Sequence, residues 1–226
     1  MAPFPLRFTV FVVFVALTTS AQECAVSSNG TTTYCTGTRM MTVPPLNVLS
    51  NATRVLILAR NFFTVIPTAQ LAAAPNLEIL DLKSTYLTII TNDSFSTTPN
   101  LRDLNLDGNI FLQEIDVGGF NHLTRLTKLS MAATGLTTLV RNHFAPLTSL
   151  QILNFAFNPI AKAPLDLFAA LTSATDIKIA ACVDISTALA THDLGLTNIT
   201  RLDKLYVSAF RGCHGQKVVT RRYDST

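Results

Sequence analysis

The stretch LRDLNLDGNIFLQEIDVGGF (101–120), continued by NHLTRLTKLSMAATG (121–135), decides how this chain is read, because one apolar pattern completes itself there and begins again. Leu101, Leu104, Leu106, Asn109, Phe111 and Phe120 are answered by Leu126, Leu129, Met131, Thr134, Leu136 and Phe144. The second and third apolar positions of each set stand two apart. On a short strand both therefore point to one side, into a core, while the residues between them point out. A single unit of this kind cannot bury its apolar face. Neighbours stacked on it can, and the chain becomes a coil of parallel strands, one per unit.

Outward from this stretch, units begin at Thr53, Leu77, Leu101, Leu126, Leu150, Ala174 and Leu202, with steps of 24, 24, 25, 24, 24 and 28 residues. The inward pairs are Leu56/Leu58, Leu80/Leu82, Leu104/Leu106, Leu129/Met131, Leu153/Phe155, Ile177/Ile179 and Leu205/Val207. Asn61, Thr85, Asn109, Thr134, Asn158, Cys182 and Phe210 fill the polar position. A short polar side chain there bonds backbone groups left unpaired in the turn after the strand. Leu71, Phe95, Phe120, Phe144 and Phe168 form a second apolar column, expected to stack on the convex side.

The spacing L-x-x-L-x-L-x-x-N-x-L, with an aromatic residue further on, resembles the leucine-rich repeat. The 24-residue period and F-x-x-L ending are similar to the extracellular typical class, as in Toll-like receptors and variable lymphocyte receptors. The resemblance implies an α/β repeat solenoid, a leucine-rich repeat horseshoe with a parallel concave sheet of about seven strands and a cysteine cap at its start. In these terms the chain divides into a signal peptide (1–21), an N-terminal cap (22–52), repeats (53–210) and a C-terminal tail (211–226). YCTGTRMMTVPPL (34–46) resembles the second half of such a cap, which usually carries four cysteines where this one has two.

Arg7, the apolar run FTVFVVFVAL (8–17) and the small residues Thr19-Ser20-Ala21 read as a secretory signal. The run is shorter than the roughly 20 apolar residues that span a bilayer. No later stretch reaches that length, so a secreted, extracellular product without a stable membrane span is expected. Cys24 and Cys35 flank an Asn29-Gly30 turn and read as a hairpin closed by a disulfide. Cys182 and Cys213 are left over, and spacing alone does not show whether they pair. Asn29, Asn51, Asn92 and Asn198 stand in N-x-S/T sequons.

Asp103-Leu104-Asn105-Leu106-Asp107-Gly108 with Glu114 matches a calcium-loop pattern, but the repeat register claims both leucines for the core. What remains is a stripe of Asp103, Asn105 and Asp107 on the concave side with Asp81 beside it. The stripe suits a cation or a basic partner side chain. The alternative is neutralisation by Lys83, expected beside Asp107, and Lys128, expected beside Asp103. No metal site, cofactor or enzyme motif is assigned: His122, His143, His192 and His214 fall in convex or terminal segments.

With a net charge of +3 and no basic run, nucleic acid is not the expected partner. The expected function is non-catalytic binding of a protein ligand or co-receptor through the concave face, in the manner of immune recognition. The candidate contacts are Arg60, Phe62, Asp81, Lys83, Tyr86, Asp103, Asn105, Asp107, Lys128 and Phe157. None of the four sequons falls among the outward strand positions. The alternative is a structural or adhesion subunit that joins a homo- or hetero-oligomer through an uncapped C-terminal end.

Overall fold

The computed structural model describes residues 24–41, 48–160, 166–181, 199, 202–209 and 218–221. Residues 1–21, expected as a signal peptide, and Cys182, Cys213, Asn198, His192 and His214 lie outside the described residues. In chain order the first strands are β1 (Ala25–Val26), β2 (Thr32–Tyr34), β3 (Val55–Ile57), β4 (Ile79–Asp81), β5 (Ile89–Ile90) and β6 (Asp103–Asn105). After them come β7 (Glu114–Ile115), β8 (Lys128–Ser130), β9 (Ile152–Asn154), β10 (Asp176–Ala181), β11 (Lys204–Ala209) and β12 (Val218–Arg221).

Ten of these strands form one sheet in the order β1-β2-β3-β4-β6-β8-β9-β10-β11-β12. The seven repeat strands β3, β4, β6, β8, β9, β10 and β11 are parallel neighbours in a register without slip, with Leu56, Leu80, Leu104, Leu129, Leu153, Ile177 and Leu205 in line. From Leu56 to Ile177 this row has no exposed surface, and Leu58, Leu82, Leu106 and Met131 lie equally deep beside it. Such a row exists because each unit alone would leave its leucines wet; stacking removes both faces from water at once. On the opposite wall Phe95, Phe120, Phe144 and Phe168 are buried, with Phe95 and Phe120 stacked at 6.2 Å and Phe144 and Phe168 in tilted contact at 5.6 Å. Among the described residues the return path is built of turns, with one helical turn, α1 (Thr68–Leu71), one 3-10 turn at Arg141–His143, and the two-stranded sheet β5–β7.

Both ends of the sheet are closed by antiparallel strands. At the start the hairpin β1–β2 turns at Asn29 and Gly30, Cys24 is bonded to Cys35, and β2 adds a parallel strand to β3. At the far end β12, within the segment expected as a tail, pairs antiparallel with β11, Leu205 opposite Arg221 and Ser208 opposite Val218. The backbone edge of the last repeat is therefore covered by the chain's own continuation.

The polar position is a buried ladder. Asn109 donates from Nδ2 to the carbonyls of Leu106 (2.8 Å) and, one coil back, Leu82 (2.9 Å). Its Oδ1 accepts from the Thr85 hydroxyl (2.6 Å) and the Leu87 amide (3.3 Å). Asn61 and Asn158 repeat the arrangement on Leu58 and Cys35 and on Phe155 and Met131. Thr85 and Thr134 each give their hydroxyl to the asparagine of the next coil, which is why threonine serves in alternate units.

Candidate functional site

The residue before each rung of that ladder has a left-handed backbone: Arg60 (φ 59), Ser84 (φ 53), Gly108 (φ 72), Ala133 (φ 52) and Phe157 (φ 61). For a residue with a Cβ this costs roughly 1–2 kcal/mol. The amides of Arg60, Ser84, Gly108 and Ala133 are each satisfied by a carbonyl of the next coil, which offsets part of that cost. The turn throws the following side chain outward at the edge where the strands leave the sheet. Phe62, Tyr86 and Ile110 occupy that position in successive coils, and all three are exposed.

Phe111 corrects the sequence reading. The repeat spacing gives it the apolar position two after Asn109, which Phe63 and Leu87 fill and bury in their own repeats, but it is 46% exposed while Leu112 is fully buried. The reason is the 25-residue unit: its extra residue is accommodated here, so the core place moves on by one and Ile110 and Phe111 both bulge out. Phe62 meets Tyr86 edge-on at 5.2 Å, and Tyr86 stacks on Phe111 at 5.7 Å, giving three rings in a row on the surface. In the sequence, the signal was three adjacent apolar residues, Ile110-Phe111-Leu112, in the 25-residue unit, where the two units before it have two.

Gly135 makes room for the bulge. A Cβ on it would press into the Ile110 carbonyl oxygen and come within 3.3 Å of the Leu112 carbonyl oxygen. Gly135→Ala is expected to cost about 1–3 kcal/mol, since backbone and not a flexible side chain is in the way. Urea denaturation checks this. An unchanged midpoint would mean that the bulge is loosely held.

Along the strands the acidic stripe is largely occupied by the fold. Asp103 pairs with Lys128 at 2.8 Å, as expected. The expected Lys83–Asp107 pair does not form. Asp107 Oδ1 instead accepts from the Ser130 hydroxyl (2.6 Å) and the Ala132 amide (2.7 Å), because those donors of the next coil lie within reach and one of them is a backbone group with no other partner. Asp81 and Asn105 each accept the amide two residues on, Lys83 (2.9 Å) and Asp107 (3.0 Å). Leu104 and Leu106 are buried and Glu114 lies in β7 on the opposite wall, so no calcium loop is assembled. Among the described residues no group of three His, Cys, Asp or Glu side chains is placed to hold a metal.

Phe157 is exposed but stands apart from the three rings, two coils beyond Phe111. Asn29, Asn51 and Asn92 lie off the sheet: in the hairpin turn, in the loop before β3, and on the convex side, where Asn92 accepts the Gly118 amide. Asn29 Oδ1 accepts the Thr31 hydroxyl and amide, and the residue is exposed.

His143 is buried against this convex wall. Burial lowers its pKa from the usual 6.5, opposed in part by a hydrogen bond with the Ile115 backbone. The unfolded chain then binds the proton more readily, so the contribution is intact above the unfolded value and is lost as pH falls through the folded one. The urea midpoint is expected to fall below about pH 6.5 more steeply in the wild type than in His143→Gln. Parallel curves would remove this group from the acid response.

A leucine-rich repeat family model matches residues 52–111. Among solved structures the chain is similar to the receptor in the crystal structure of a TLR13–ssRNA13 complex. The TM-score is 0.54 and the identity 26%, over 62% of this chain and 20% of that one. The chain thus spans about a fifth of the length of that receptor. No curated protein matches it. Among the described residues no helix is long and apolar enough to cross a membrane.

Proposed function

We propose that this chain, a leucine-rich repeat solenoid resembling Toll-like receptor ectodomains, is a secreted, non-catalytic module that binds a protein ligand from the edge of its concave face. The observation that carries the reading is the surface row Phe62, Tyr86 and Phe111. Aromatic groups left in water on a rigid scaffold are the kind of anchor on which interfaces concentrate their affinity. The positions of Asn29, Asn51 and Asn92 support it, since glycans there leave that edge and the sheet bare. An immune-type role follows from resemblance alone and belongs to the proposal.

The RNA of the receptor complex is not carried over. On the described part of the sheet Asp81, Asp103 and Asp107 stand among Lys83 and Lys128, without the excess of positive charge that a phosphate backbone requires. The alternative, assembly through a bare C-terminal end, is weakened by β12 on the edge of β11.

The test is expression through a secretory pathway, followed by capture of partners from the organism's own fluid. Tyr86→Ala/Phe111→Ala is expected to lose the captured partner while the convex Val140→Ala keeps it. A wild type that retains nothing, or equal retention by both variants, defeats the reading. A solution mass that stays dimeric on dilution favours the subunit alternative.

A further inference from the structure

The row of rings does not stand alone on its edge. Arg60, whose amide bonds to the Lys83 carbonyl, and Lys83 lie side by side in adjacent coils, both exposed. Arg39 comes from the cap loop that runs along the first repeat, where the Met40 carbonyl accepts the Phe62 amide and the Met40 amide donates to Asn61. Met41, next to it, is 77% exposed. Among the described residues none of these three cations has an ion pair. The neighbouring acids are differently placed: Asp81 caps the Lys83 amide, and Asp107 is turned to Ser130 and Ala132.

Resting on the binding-module reading above, we infer that the occupant of this edge is an acidic peptide segment bearing large apolar side chains, docked across the first three repeats. The rings take the apolar groups. Arg39, Arg60 and Lys83 take the carboxylates, with Arg60 and Arg39 able to grip them in bidentate fashion. Charge complementarity of this sort selects partners and speeds encounter, and it weakens with salt. A basic segment would instead set its cations against three uncompensated ones, which disfavours it.

The probe is a library of random dodecapeptides displayed on phage, panned against the full secreted chain. The expected result is a consensus rich in Asp and Glu interleaved with Leu, Phe, Tyr or Trp. Binding of the selected peptides should fall at least about tenfold in Phe111→Ser and in Arg60→Glu/Lys83→Glu. Both variants alter exposed side chains, and circular dichroism confirms that they fold. A basic or neutral consensus, or binding unchanged in either variant, overturns the inference. So does selection of no peptide, or tighter binding of single-stranded oligouridylate at the same edge. If the selected peptides are lost instead in Ile79→Ser/Ile152→Ser on the sheet, the binding-module reading stands and only the edge and its acidic partner fall.

Discussion

Replacing Asn109 with alanine is expected to cost about 3–5 kcal/mol of folding free energy, measured as a shift in urea midpoint at unchanged slope. The side chain is fully buried and has four partners, the carbonyls of Leu82 and Leu106 and the donors of Thr85 and Leu87. With methyl in place of amide the Thr85 hydroxyl can turn to the Leu82 carbonyl, 3.0 Å away, which leaves the Leu106 carbonyl and the Leu87 amide without the Asn109 partner where water does not reach, and each such group costs about 1–3 kcal/mol. Thr85→Ala removes one hydroxyl whose loss Asn109 still tolerates, since its Oδ1 keeps the Leu87 amide, so about 1 kcal/mol is expected there. The contrast is the informative part. Equal costs, or a loss below about 1 kcal/mol in Asn109→Ala, would mean that the ladder is filled but does not hold the coils together.

The features readable in the sequence are those in which a residue type is dictated by the dry interior. Leu80, Leu104 and Leu129 had to align because any slip by one residue would turn them to water, and they do align. Asn61, Asn109 and Asn158 were legible for the same reason, and the bond between Cys24 and Cys35 was legible from two cysteines flanking a short hairpin turn. The surface was less legible. Nothing in the spacing says where a twenty-fifth residue goes, and the exposed Phe111 looks the same in a sequence as a buried one. Only Gly135, standing where earlier units have Phe62, Tyr86 and Ile110, marks the place. Asp107 was misassigned because the expectation paired charge with charge, whereas a backbone amide and a hydroxyl lay closer and needed a partner more. The tail strand β12 was missed because its pairing follows from an unfilled sheet edge and not from any repeat.

Phe144→Ala is the second large effect, expected at about 3–5 kcal/mol, against less than about 0.5 for Phe157→Ala at the solvent-exposed edge. Phe144 is fully buried and bridges two columns: its ring stands 5.6 Å from Phe168 on the convex wall and 6.3 Å from Phe155. Phe155 is an aromatic residue at the strand position that leucine or methionine fills in the four coils before it. Those neighbours are held by their own repeats and cannot collapse into the space, so the truncation leaves a void as well as losing transfer energy. Because each coil touches only the next, the loss should be local to that joint. Hydrogen exchange should therefore speed up from β9 onward, while β3 and β4, tied to the disulfide cap, keep their protection. Uniform acceleration along the chain would show that the coil opens as one unit, and that the stacking energy does not divide between neighbours.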